Sequence, residues 1–407
     1  MSELPLAAPA RRAPHPGLCF GAGLLVTLVL GVGLGAINLF KADWSEGTVT
    51  GESVLVHAHA QIFGFVVLFV IGIVGHALPR ITKRPLARTG LLWAAFGATV
   101  AAQIAFPFGS WLDQAVLVRL AEALDVGAAL ALAAAVAAAT SEGAPALRPW
   151  LRLGSLGLVA AALWGLLGAL DQRLLLHRQA LWALGLWGFV APYIFGMSTH
   201  VLAMAGGFDV REGGEGLLAA LWALAVALVT LARAAVLPEA AGAAGELLQL
   251  AVALAMSWRL GLFRRRKRPG AGAPFFASAY GWLLVSLSAW ALVGLGVFPD
   301  HLLIEDAARH TFTIGCVTQM IVGVALRALA VAGGVRLTWP ALAVAAYALL
   351  NGAVVLRLGR IVAALAAPQA LWASGLSGFL ALACMVCFGA SLVGTARRVL
   401  ASRALAS

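Results

Sequence analysis

Along this chain, long apolar runs alternate with short polar interruptions, the pattern of a protein that crosses a membrane many times. A helix spanning the hydrocarbon core needs about 20 mostly apolar residues. Runs of this kind fall near 18–40, 54–79, 90–106, 115–139, 150–170, 179–205, 216–236, 241–262, 275–298, 307–333, 338–362 and 371–395, the third being short. The pattern predicts an all-α membrane protein of twelve transmembrane helices. The first run follows Arg11 and Arg12 and lacks a convincing cleavage site, so it reads as a retained helix and not as a signal peptide.

Composition agrees: 62% of the 407 residues are hydrophobic and 11% are charged, with a mean hydropathy of +0.95. No ordinary soluble domain hides that much apolar surface, so the solvent is lipid. The basic excess, 28 Lys and Arg against 17 Asp and Glu, sits in short clusters between spans and not in a nucleic-acid patch. Arg80, Lys83, Arg84 and Arg88 follow span two, Arg148 and Arg152 precede and open span five, Arg264 to Arg268 follow span eight, and Arg397, Arg398 and Arg403 follow span twelve. All lie on the side of the N-terminus, which the positive-inside rule assigns to the cytoplasm. The expected organisation is a basic tail over 1–16, one membrane domain over 17–397 and a second tail over 398–407, in a bacterial inner membrane. The four cysteines fall inside apolar spans, which implies no disulfide framework.

Three spans repeat one another. HAQIFGFVVLFVIGIVGHALPRI from His59, ALGLWGFVAPYIFGMSTHVLAMA from Ala183 and HTFTIGCVTQMIVGVALRALAVA from His310 align without gaps. Gly64, Gly188 and Gly315 share a column, as do Gly72, Gly196 and Gly323. The chain therefore reads as three four-helix pseudo-repeats, over approximately 17–140, 148–262 and 274–397, with spans two, six and ten equivalent.

Intramembrane ionisable residues are functional candidates by default, and neutral imidazole is a good ligand for iron and copper. His59 and His76 lie roughly 25 Å apart along span two, one near each membrane face. Repeat equivalence sets His310 at the depth of His59, and His200 at the depth of His76. Two level pairs result, His59/His310 and His76/His200, each able to hold a haem edge-on between two helices. His57 points roughly 200° away from His59 and is expected to serve a separate outer metal site, suited to copper, with His177 and His301. Arg309 and Arg173 on the outer side, with Arg80 and Arg327 on the inner side, are candidate partners for haem propionates. Arg119, Glu122 and Asp125 form a polar stripe in span four. It reads either as a proton path or as a self-neutralising ion pair.

The segment His57-Ala-His59-Ala-Gln61-Ile-Phe-Gly64-Phe65 through Gly75-His76-Ala-Leu-Pro79-Arg80 resembles the signature segment of the NnrS family. So do Trp187-Gly-Phe through Phe195-Gly-Met-Ser-Thr-His200, and His310-Thr-Phe-Thr-Ile-Gly315 through Gly323. The resemblance implies a bacterial membrane protein containing haem, of b type, and copper, associated with denitrification and nitric oxide resistance. The twelve-helix threefold plan is also similar to subunit I of haem–copper oxidases. There, histidines of helices two and ten, matching His59 and His310, hold a low-spin haem. The departures are an absent His-His pair in span seven and an absent His-Pro-Glu-x-Tyr in span six. They argue against standard oxygen reduction.

The leading reading is a haem-binding, copper-binding protein that handles nitric oxide or related redox stress, with an electron donor still to be named and oxidoreductase activity left open. The alternatives are a two-haem electron conduit through His76/His200 and a proton or metal transporter. Purified protein is expected to show a Soret band that His310→Ala largely removes; a single haem per chain would exclude the two-haem conduit.

Overall fold

The computed structural model describes residues 13–45, 48–171, 178–203, 207–211, 213–264, 273–298, 302–366 and 371–404. Among these residues, twelve helices are long and apolar enough to cross a membrane. They are α1 (Pro16–Asp43), α2 (Gly51–Thr82), α3 (Thr89–Trp111), α4 (Ala115–Ala139), α5 (Arg148–Leu170), α6 (Arg178–Val201), α7 (Glu215–Arg233), α8 (Glu239–Arg259), α9 (Ala273–Gly294), α10 (Leu302–Ala328), α11 (Pro340–Leu365) and α12 (Leu371–Ala401). Local chemistry sets several ends. Pro16 opens α1 behind His15, whose Nδ1 accepts the Gly17 amide at 3.1 Å. Thr50 caps α2 by accepting the Ser53 amide at 3.2 Å, with Glu52 in the first turn. Lys83 ends α2 in the left-handed region, at φ 55°. The third helix is longer than its apolar run because it continues through Pro107 to Trp111. A transmembrane bundle tolerates such a proline, since neighbouring groups can satisfy the freed carbonyl.

Consecutive helices pack on one another, and α12 returns against α1, so the bundle closes into a ring. Inside that ring stand α2, α6 and α10. Their central windows are 78%, 78% and 67% buried, whereas no other span exceeds 50%. These are the three spans that repeat in sequence, and their backbones repeat as well. Each passes from α- to π-helical geometry immediately after the shared column: at Ala60–Val66 after His59, at Leu184–Val190 after Ala183, and at Thr311–Thr318 after His310. A π turn adds a residue to the turn and redirects the side chains around it.

The repeated glycines explain how three helices fit at the centre. A Cβ at Gly72 would stand 2.8 Å from Phe20 of α1, one at Gly196 would stand 2.9 Å from Trp150 of α5, and one at Gly323 would stand 3.1 Å from Phe275 of α9. In every repeat the first helix therefore lies against the second through the same hydrogen-only surface, as small residues permit in membranes. The inner helices also touch one another. Ile62 of α2 packs against Gly185 of α6, and Trp187 of α6 lies 4.3 Å from Phe312 of α10, between ring centroids. Three compartments result, each bounded by two inner helices and the outer helices between them.

The tightest approach is Gly157 of α5 to the backbone of α6, where an added Cβ would overlap the Gly188 carbonyl. Gly157→Ala must push two helices apart, at a cost on the order of 1–3 kcal/mol. It is expected to lower the thermal unfolding midpoint in detergent. Gly127→Ala on α4 meets nothing within 4 Å and is expected to leave the midpoint unchanged or slightly raised.

Candidate functional site

His310 of α10 faces the compartment bounded by α10, α11, α12, α1 and α2, and the residue opposite it is His57. The two imidazole centroids are 6.3 Å apart and the ring planes are within 15° of parallel. Each ring is anchored through Nδ1. His57 donates to the Gly31 carbonyl at 2.8 Å, which is turned out of α1 where Gly31 leaves helical geometry (φ −83°, ψ −104°). Gly35, one turn further along α1, makes room for the His57 ring, which a Cβ there would strike at 2.6 Å. His310 donates to the Asp306 carbonyl at 2.9 Å, and its Nδ1 also lies 3.1 Å from the Asp306 carboxylate. Histidine ligands are typically oriented in this way, by a carbonyl or carboxylate on the nitrogen that does not ligate. Nε2 is then the remaining nitrogen of each ring, and on His310 it lies 3.2 Å from the Arg357 guanidinium. With imidazole–metal bonds of about 2.0 Å, two rings sharing one ion stand roughly 6 Å apart between centroids.

A charged lattice closes one end of this compartment. Arg357 of α11 contacts the Asp306 carboxylate at 2.9 Å and the His310 ring nitrogens at 3.0 and 3.2 Å. Arg360 donates to both oxygens of Asp43, at 2.9 and 3.0 Å, and to Ser374 at 2.7 Å; Ser374 in turn donates to Asp43. Arg357 is 3% exposed, yet its Nε and Nη1 have no partner among the described residues. A buried guanidinium with idle donors has the chemistry to receive a carboxylate.

The expected pair His59/His310 does not meet. His59 faces the compartment of α2 to α6, where its Nε2 donates to Asp125 at 2.7 Å and its Nδ1 lies 3.2 Å from the Gln103 amide. Its ring stacks on Phe106 at 3.8 Å. The reason is the threefold plan itself: equivalent residues of α2, α6 and α10 face equivalent but separate compartments. Two side chains can share a compartment only if they come from different columns. His57, turned about 200° from His59, supplies the second column. His57 faces His310 and Gly31; its proposed companions His177 and His301, like Arg173, lie outside the described residues.

The polar stripe of α4 is resolved into two parts. Glu122 and Asp125 turn inward, Asp125 to His59 and Glu122 against Gly165 of α5, while Arg119 bonds the Ala169 carbonyl at 3.2 Å. Arg309 lies in the compartment between α6 and α10, bonded to Gln179 at 3.0 Å, so the arginine beside the imidazole pair is Arg357 instead. His76 and His200 are half-buried near the other ends of α2 and α6. Arg80 folds back onto the His76 carbonyl at 2.8 Å, and Arg327 is exposed on α10. Among the described residues, no group of three or more His, Cys, Asp or Glu is arranged to hold a metal ion.

Arg357, Arg360, Asp306 and Asp43 have no site role in the sequence reading. One signal for the two arginines was present: they end span eleven on the side whose loops carry most of the Asp and Glu, against the positive-inside pattern.

Known proteins match at two levels. A haem–copper terminal oxidase, solved as a dimer by cryo-electron microscopy, superposes with a TM-score of 0.73 at 13% sequence identity, covering 94% of this chain and 84% of that one. At that identity the likeness establishes the fold, that of haem–copper oxidase subunit I. No curated protein matches. Residues 13–398 match the sequence profile described as NnrS protein. With nearly the whole membrane domain covered, the chain belongs to the NnrS family.

Proposed function

We propose that this chain is a haem protein of the bacterial cytoplasmic membrane, with both termini in the cytoplasm, and that it serves in nitric oxide- and denitrification-linked redox stress. The observation that carries the haem assignment is the facing pair His57/His310, each ring anchored at Nδ1 and presented across a 6.3 Å centroid gap. Iron held there would supply reversible one-electron chemistry and an affinity for diatomic gases. His57 and His310 would ligate, Gly31 and Asp306 would orient them, and the idle donors of Arg357 would take a propionate. The haem would be held without covalent attachment: Cys384-x-x-Cys387 is followed by Phe388, not by the histidine of a c-type attachment motif. Buried polar groups at membrane depth are costly, and Asp306, Arg357, Arg360 and Asp43 offset one another's charge around the pair.

Copper belongs to the same proposal through His177 and His301. Iron and copper are expected together in metal analysis of the purified protein, and iron alone would remove copper from the reading.

Substitution separates the ligand assignment from the sequence-based one. His57→Ala and His310→Ala are each expected to remove most of the Soret absorbance, measured as haem per chain, while His59→Ala keeps it. Retention of haem in His57→Ala, with loss in His59→Ala, would reverse the assignment. Nitric oxide added to the reduced protein is expected to shift the Soret band; an unchanged spectrum would refute the nitric oxide role and leave the haem standing.

A further inference from the structure

Four residues before the column of His59, Ala183 and His310, the three repeats carry Leu55, Gln179 and Asp306. The fold therefore accepts an apolar side chain, an amide or a carboxylate at this position. Of the three, the carboxylate stands before the histidine that faces His57. On a helix the spacing of four puts Asp306 and His310 on one face. The Asp306 carboxylate lies 3.1 Å from the His310 Nδ1, which also donates to the Asp306 carbonyl at 2.9 Å. The contact at the His57 Nδ1 is instead to the neutral carbonyl of Gly31, at 2.8 Å. The two imidazoles are thus anchored through the same nitrogen but unequally.

The carboxylate is also the hub of the charged lattice. Its oxygens lie 2.9 and 3.1 Å from Arg357, which is thereby held against the His310 ring, and one of them lies 3.4 Å from the Arg360 Nε. Arg360 in turn donates to Asp43. Two guanidinium groups stand against two carboxylates, so removal of any one member leaves a net charge near the ring. Screening is weak in a site shut off from water, and such a charge acts over several ångströms.

A carboxylate on the nitrogen that does not ligate makes a histidine a stronger donor, and hydrogen bonds and charge around an axial ligand are levers on an iron potential. We infer that Asp306 is a positioning residue that sets the oxidation–reduction potential of the group held at His310. Its carboxylate draws on the Nδ1 proton, makes His310 the stronger donor of the pair, and favours the oxidised, more positive state of the iron. Arg357 and Arg360 oppose that charge and limit its effect. This role rests on the haem reading above.

The test is a potentiometric measurement on the purified full chain in nanodiscs, with the Soret band reporting the fraction reduced. Asp306→Asn keeps the volume and the orienting carbonyl and removes the charge. At a fixed potential it is expected to raise the ratio of reduced to oxidised iron roughly 10- to 100-fold, an upward midpoint shift of about 60–120 mV at 59 mV per tenfold. Arg360→Gln removes a positive charge that touches Asp306, and is expected to lower the same ratio roughly 3- to 10-fold. Opposite signs are the mark of charge, since a general loosening of the site would move both midpoints one way. Thermal melting by circular dichroism identifies the folded variants. Unchanged midpoints, or shifts of one sign, in the folded, haem-loaded variants overturn the role of Asp306. Where Asp306→Asn does not fold, a raised or unchanged midpoint in Arg360→Gln overturns it alone. An unmodified protein without a Soret band refutes the haem reading itself, and the role of Asp306 with it.

Discussion

Three helices can stand at the centre of this bundle only because glycine lets the outer helices touch their backbones. Gly72 and Gly196 each meet an aromatic residue of the preceding helix at a distance no Cβ would allow, and Gly323 meets Phe275 at one that a Cβ would make tight. Close backbone contact matters more in lipid than in water, since apolar tails solvate leucine as well as another helix does and packing has to supply the attraction. From that contact follow the inner ring of α2, α6 and α10 and the three compartments around it. The π turns set at one level of the ring aim side chains from each inner helix into the compartments on either side.

The compartments show one frame filled in three ways. His59, Asp125 and Gln103 fill the first with a directly bonded polar chain packed under Phe106. The second holds arginine–glutamate pairs around a hollow. In the third, two imidazoles face each other across a gap and an arginine keeps donors in reserve. A buried charge that loses its partner costs about 3–5 kcal/mol, so the ion pairs in each compartment are constraints on what can change there. His59 already spends its Nε2 on Asp125. His57 spends Nδ1 on a backbone carbonyl, and His310 does the same while its Nε2 lies 3.2 Å from the Arg357 guanidinium, so neither ring is bound to a carboxylate through Nε2 as His59 is.

Asp306 links these roles. Its backbone carbonyl orients His310, and its carboxylate holds Arg357 and reaches Arg360, which in turn grips Asp43 at the end of α1 and Ser374 of α12. The imidazole pair is thereby tied to four helices, and movement of α11 would be felt at the His310 ring.

Much of this architecture was legible in the sequence. Twelve spans, their helical nature and the threefold repeat follow from apolar run length and from aligned glycines, because lipid demands internally bonded helices and close packing demands small residues at fixed columns. The histidines of the inner helices were legible as candidates because an ionisable group is expensive at membrane depth. Their pairing was not. Sequence equivalence places His59 and His310 at one level, but equivalence under a threefold axis also turns them into different compartments, and only the folded ring shows that His57 is the residue across from His310. Arg357 and Asp306 escaped for a related reason, lying far apart along the chain and meeting only when α11 packs on α10. The hollow beside Ala183 is likewise a property of five helices together. Periodicity along one chain determines depth and face; which face meets which neighbour is decided by the closure of the ring.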